Sequence, residues 1–102
     1  MLTTIESKRA EVRSLCQRHH VRLLDVFGSA VRGGFDPDRS DLDFTIEFEE
    51  LTPGDLAHAY FGMKEGLEAL FQRPVDLVMD DAIVNPYFRA SVDAHRERVY
   101  GS

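Results

Sequence analysis

Hydrophobic and polar positions follow two different periods along this chain, and each change of period marks an element. Leu2, Ile5, Val12, Leu15 and Cys16 approximate a helical stripe, so Thr3 to about His19 is predicted to be helical. The run Thr3-Thr4-Ile5-Glu6 has the pattern of a capping box at its start. Val21 to Phe27 is an apolar run of strand length. Asp41 to Phe48 then alternates strictly. Leu42, Phe44, Ile46 and Phe48 fall on one face, and Asp41, Asp43, Thr45 and Glu47 on the other. Between these two strands, Ser29 to Arg32 reads as one helical turn stopped by Gly33-Gly34, and Phe35 to Ser40 as a polar loop. Thr52-Pro53-Gly54-Asp55 is a helix start, with Thr52 as N-cap and Pro53 at the first helical position. The stripe Leu56, Tyr60, Met63, Leu67, Leu70 carries that helix to about Phe71. Pro74 to Met79 is a third strand, with Val75, Leu77 and Met79 on one face and Asp76 and Val78 on the other. Asn85-Pro86 opens a last helix to about His95, and Val99-Tyr100 forms a short final strand.

These elements constrain one another. If Ser29 and Asp41 serve one site, the end of the first strand lies near the start of the second, and the two are antiparallel. Asp76 also lies near the start of its strand. For it to join that site, the third strand must run parallel to the second, with the long helix as the crossover. The expected fold is α+β: a small mixed sheet with helices packed against it, in one domain spanning residues 1–102. Asp41, Asp43 and Asp76 are expected to meet at one end of the sheet, on the face opposite Leu42, Phe44, Val75 and Leu77.

Composition narrows the partners. The chain has 102 residues, 43% of them hydrophobic, which suffices for one modest core. Its net charge of −6 argues against wrapping a nucleic-acid backbone, which needs a basic stripe. Cys16 is the lone cysteine and has no internal disulfide partner, which fits a reducing cytoplasm. No apolar run has membrane-spanning length, and no signal-peptide core follows Met1, so no membrane association is expected.

Candidate chemistry centres on the acids. Asp41 and Asp43 stand two residues apart, about 6.5 Å along a strand, and can grip one hard cation from the same side. Gly28-Ser29 ends the first strand, where backbone N–H groups can hold phosphate oxygens and Gly28 lets them come close. Arg32 lies three residues after Ser29 and can reach a phosphate oxygen, or pair instead with Asp36 or Asp38. Taken singly, a Gly-Ser turn, an Asp-x-Asp pair or Asp76 is commonplace; their order and flanks carry the reading. His19, His20, His58 and His95 have no second ligand at metal spacing and read as structural or surface residues. Cys16 reads as core, Tyr60, Phe61 and Phe71 as core or interface, and Glu47, Glu49 and Glu50 as a solvated acidic edge.

Gly28-Ser29-Ala30-Val31-Arg32-Gly33, Ser40-Asp41-Leu42-Asp43 and Pro74-Val75-Asp76-Leu77-Val78 together resemble the minimal nucleotidyltransferases of the DNA polymerase β superfamily. The resemblance extends to Asn85-Pro86-Tyr87-Phe88-Arg89 and the closing Val99-Tyr100. One departure is the spacer: eleven residues separate Ser29 from Asp41, where ten is usual in that family. The resemblance implies a polymerase β-like fold and nucleotide binding by Gly28, Ser29, Arg32 and Ser40. It also implies two Mg²⁺ ions held by the catalytic acids Asp41, Asp43 and Asp76. It implies further an antitoxin that uses ATP to place AMP on a hydroxyl, a tyrosine's, of a cognate HEPN ribonuclease toxin. Two other readings stay open: an antitoxin of the same fold that neutralises by binding alone, and an enzyme modifying a small molecule. The three acids weigh against the first, and the lack of a visible second domain against the other.

Overall fold

A computed structural model describes residues 3–28 and 41–101 of the chain. The predicted helical turn at Ser29 to Arg32 and the loop from Phe35 to Ser40 lie outside the described residues.

The first helical segment is two helices, α1 (Thr3–Glu6) and α2 (Arg9–Arg18). The break falls at Ser7-Lys8, where Lys8 adopts φ −112°, ψ 12°. The Glu6 carboxylate pairs with Arg9 at 2.9 Å, across the break. Ile5, Val12 and Cys16 are buried from this segment, as the stripe requires.

The strands are β1 (Val21–Phe27), β2 (Leu42–Phe48), β3 (Val75–Met79) and β4 (Glu97–Tyr100), in the order β3-β2-β1-β4. β1 runs antiparallel to β2 and to β4, and β2 runs parallel to β3. A mixed sheet of this kind is what the shared-site argument demands. A bulge at Val21/Leu23 lets Val21 and Leu24 both face the core.

Helix α3 (Pro53–Phe71) is the crossover between β2 and β3. Thr52 Oγ1 accepts the Asp55 N–H at 3.2 Å, and Pro53 occupies the first turn, where its missing N–H costs nothing. The helix stops at Gln72, whose left-handed φ of 56° turns its N–H back to the Glu68 carbonyl at 2.8 Å. Glu68 also accepts the Val75 N–H at 3.1 Å, which fastens the start of β3 to the end of α3. Helices α2 and α3 cover the face carrying Leu24, Val26, Leu42, Phe44, Ile46, Val75 and Leu77, all buried. Phe44 and Leu67 are fully buried there, each contributing about 1.5–3 kcal/mol by leaving water.

After β3 come a short 3₁₀ turn, Asp80–Ala82, and helix α4 (Pro86–Ala94). The Asn85 side chain caps α4 by accepting the N–H groups of Tyr87 and Phe88 at 2.9 and 3.1 Å. Phe88 meets Phe27, which pairs with Asp43, so α4 flanks the opposite face of the sheet. That leaves one face of the sheet as dry core and the other as a mixed surface of acids, arginines and a few rings. No helix among the described residues is long and apolar enough to cross a membrane.

Candidate active site

One row across the sheet holds two of the three predicted acids. Phe27 on β1 pairs with Asp43 on β2, and Asp43 pairs in register with Asp76 on β3. Neighbouring strands lie about 4.8 Å apart, so two carboxylates at one register position can reach a common cation. Side-chain alternation sends Asp43 and Asp76 to the face opposite Leu42, Phe44, Val75 and Leu77. Asp43 is half-buried and Asp76 exposed. Asp41 is exposed and stands one residue ahead of β2, so it projects from the lip of the row. The Leu42 N–H donates to the Pro74 carbonyl at 3.3 Å, which holds the two strand starts level.

Gly28 follows Phe27 and turns the chain with φ +77°, a conformation that L side chains rarely adopt. A Cβ there would lie 2.6 Å from Asp43 Oδ2. The glycine therefore keeps a space open against the carboxylate where a substrate atom or an ion can approach. Ser29, Arg32 and Ser40 lie outside the described residues.

The donor set is hard oxygen, which suits Mg²⁺ rather than Zn²⁺. Among the described residues, no group of three or more His, Cys, Asp or Glu side chains is already drawn together as a metal cluster. The register brings Asp43 and Asp76 together, but the expected meeting of all three acids, with Asp41, is not seen.

Behind this row lies a charge network that the sequence pattern did not reveal. Asp25 sits in the apolar run of β1, opposite Thr45, with only 3% of its side chain exposed. Arg96 donates to Asp25 Oδ2 from Nε at 2.9 Å and approaches it with Nη2 at 2.7 Å. The same Nη2 reaches Thr45 Oγ1 at 3.2 Å and Asp80 Oδ1 at 3.1 Å, while Nη1 reaches Asp93 Oδ1 at 2.7 Å. Arg98 donates to the other oxygen of Asp25. Arg89 bonds Asp80 through its side chain at 2.9 Å and its carbonyl at 2.6 Å. Burial alone would lower the Arg96 pKa. Its bonds to Asp93 and Asp25, with the charges of Asp25 and Asp80, instead hold it above the usual arginine range. The network thus ties β1, β2, the turn after β3, and α4 together beside the acids. Its sequence signal was a lone Asp inside an apolar strand, matched by Arg96 and Arg98 at the end of the chain.

A recess of about 820 Å³ lies elsewhere, between the end of α2 and the first half of α3, lined by Arg18, His19, His20, His58 and Phe61 among others. It is at the far end of the sheet, where β1 begins and β2 ends, and none of Asp41, Asp43 or Asp76 touches it. The paired carboxylates Asp43 and Asp76 lie at the other end of the sheet. His19 packs on Gly62 at its wall, and burial, then Arg18 and His20, lower its pKa.

Residues 9–100 match the family model described as a nucleotidyltransferase domain. The chain is 42% identical over 74 residues to the protein adenylyltransferase MntA of Thermococcus cleftensis, covering 72% of this chain and 71% of that protein. It is 36% identical to a solved structure assigned as a minimal nucleotidyltransferase, with a TM-score of 0.70 over 92% of this chain and 91% of that one. The fold also matches the complex of a tri-AMPylated Shewanella oneidensis HEPN toxin with its MNT antitoxin. There the TM-score is 0.65 at 16% identity, over 96% of this chain and 73% of the matched one.

Proposed function

This chain belongs to the nucleotidyltransferase-domain family, and from that membership we propose that it transfers AMP from ATP to a hydroxyl of a protein, a HEPN ribonuclease toxin, as its antitoxin. The observation that carries this reading is Asp43 facing Asp76 in register, beside a Gly28 that leaves room against the carboxylate. The likeness to a protein adenylyltransferase supports a protein as acceptor. The likeness in fold to an antitoxin bound to an AMPylated HEPN toxin supports the kind of protein.

In the overall reaction the acceptor oxygen forms a bond to the α-phosphorus of ATP, the bond to the β-phosphate oxygen breaks, pyrophosphate leaves, and the hydroxyl proton passes to solvent. Asp41, Asp43 and Asp76 would hold Mg²⁺ as a pair of ions, which stabilise charge on the attacking and leaving oxygens. Gly28 admits the triphosphate close to the backbone, and Ser29, Arg32 and Ser40 are assigned to its phosphates. Asp43 and Asp76 orient the reacting groups from a rigid ladder rather than from a loop, which limits the freedom lost at the moment of reaction. The hydroxyl is assigned to a tyrosine, and the reaction to the cytoplasm.

Mass spectrometry of a candidate HEPN-domain partner, after incubation with this protein, ATP and Mg²⁺, tests the proposal. One or more added AMP groups on a tyrosine are expected. An unmodified partner, under conditions where this protein binds ATP, would contradict it.

A further inference from the structure

Large apolar side chains are exposed in one short stretch of the acid-bearing face. Val84 is 90% exposed, Tyr87 86% and Phe88 40%. Only Phe61, on α3, is a comparable exposed residue elsewhere among the described residues. Single exposed apolar residues need no explanation, but a cluster of them marks a contact surface. The stretch is also firmly held. Asn85 caps it through the N–H groups of Tyr87 and Phe88, and Arg89 anchors it to Asp80 and the Ile83 carbonyl.

Its location gives it a use. The Phe88 ring meets the Phe27 ring edge-on, centroids 6.2 Å apart. Phe27 is the cross-strand partner of Asp43. An exposed apolar strip therefore runs up to the row of acids where the acceptor hydroxyl must arrive. The surrounding charge is negative: Asp76 and Asp81 are exposed at either end of β3. The arginines Arg89 and Arg96 on this face are bound to Asp80, Asp25 and Asp93.

We propose that Val84, Tyr87 and Phe88 form the docking strip for the protein acceptor, and that the segment it takes is apolar beside the modified hydroxyl and basic next to that. The proposal rests on the reading that the acceptor is a protein. Tyr87 serves as the anchor, because an aromatic side chain fixed on a capped helix offers a large contact area at low entropic cost. Asp81, exposed and outside the proposed metal site, selects the basic flank and speeds the encounter at low ionic strength.

The test pairs Val84→Ser with Tyr87→Ser in the whole chain, using the HEPN-domain partner as ligand. Both side chains are exposed, so the melting temperature should stay unchanged. Direct binding to the partner, by calorimetry without ATP, should weaken about tenfold or more. KM for the partner should rise by a similar factor, with kcat and ATP affinity unchanged, and Tyr87→Phe should restore most of the loss. Unchanged affinity and KM would overturn the strip while leaving the transfer reaction standing. Wild-type binding without any AMP transfer would sink the reaction instead, and the calorimetric comparison would still decide the strip. A shift in self-association with partner affinity intact would overturn the proposal in favour of a second copy of this chain.

Discussion

Gly28 and Asp43 compete for one space: a Cβ on Gly28 would come within 2.6 Å of Asp43 Oδ2. The far end of an aspartate can swing aside at small cost to the fold, but a displaced Asp43 no longer faces Asp76 as it does in the β2–β3 register. Gly28→Ala should therefore harm activity more than stability. The strained φ of +77° costs about 1–2 kcal/mol for any L side chain. AMP transfer should fall well over tenfold, since even slight misplacement of a catalytic group is expensive. Parallel denaturation and turnover assays check this, and a drop in stability with normal turnover would refute it.

Asp43→Asn and Asp41→Asn should each abolish transfer with the fold intact, because neither side chain contributes to the buried face. Removing one anionic ligand removes several kcal/mol of transition-state stabilisation. Asp76→Asn should behave differently, leaving ATP affinity largely in place while stopping turnover. Circular dichroism, nucleotide binding and transfer assays on the three variants separate these outcomes. Full activity in a folded Asp41→Asn or Asp43→Asn variant would be fatal to the metal assignment. Equal losses of affinity and turnover at Asp76 would make it a binding residue.

Asp25→Asn should destabilise the fold by about 3 kcal/mol or more, although it keeps the shape of the side chain. Its carboxylate is buried between Arg96 and Arg98, and the amide takes a buried counter-charge from both, although Arg96 keeps Asp80 and Asp93. Replacing a cation should cost less where the partner retains the other one, so Arg98→Met should cost less than Asp25→Asn. Urea unfolding of the two variants gives the comparison, and a cost for Asp25→Asn below that of a typical exposed ion pair would contradict the network's role.

Most of the fold was legible from periodicity. Strict alternation from Asp41 to Phe48 predicts β2, which begins one residue later at Leu42, and Thr52-Pro53 and Asn85-Pro86 predict two helix starts where the structure has capped helices. The antiparallel–parallel arrangement followed from requiring one site for residues on three strands, and it is the observed topology. The break at Ser7-Lys8 was not legible, because the apolar stripe continues across it and local backbone geometry, not burial, decides it. In the sequence Asp25 stands inside an apolar strand run. Its partners lie 71 and 73 residues away, a pairing that no local pattern encodes. The row Asp43–Asp76 was legible in position, whereas the roles of Ser29, Arg32 and Ser40 rest on the motif alone.

Burial pushes the Cys16 thiol up to about 12 from an ordinary 9.0. In the unfolded chain the thiol loses its proton near the ordinary value, while in the folded chain it keeps it. The folded state therefore binds more protons between those two values, and stability from this group is complete below pH 9 and lost as pH rises towards 12. Native Cys16 should resist thiol reagents at pH 8 and react quickly once denatured, as a buried neutral thiol does. Cys16→Ala should flatten the alkaline fall in stability; an equally steep fall in that variant would assign the slope elsewhere.

Substoichiometric transfer reads out turnover on a protein. One copy of this protein per many copies of the HEPN-domain partner, with ATP and Mg²⁺, should inactivate the whole partner population. Each partner molecule should gain AMP, the inactivation should persist after this protein is removed, and Asp43→Asn should eliminate it. Neutralisation that needs one copy per partner, proceeds without ATP and survives Asp43→Asn would rule out transfer and leave binding alone as the function.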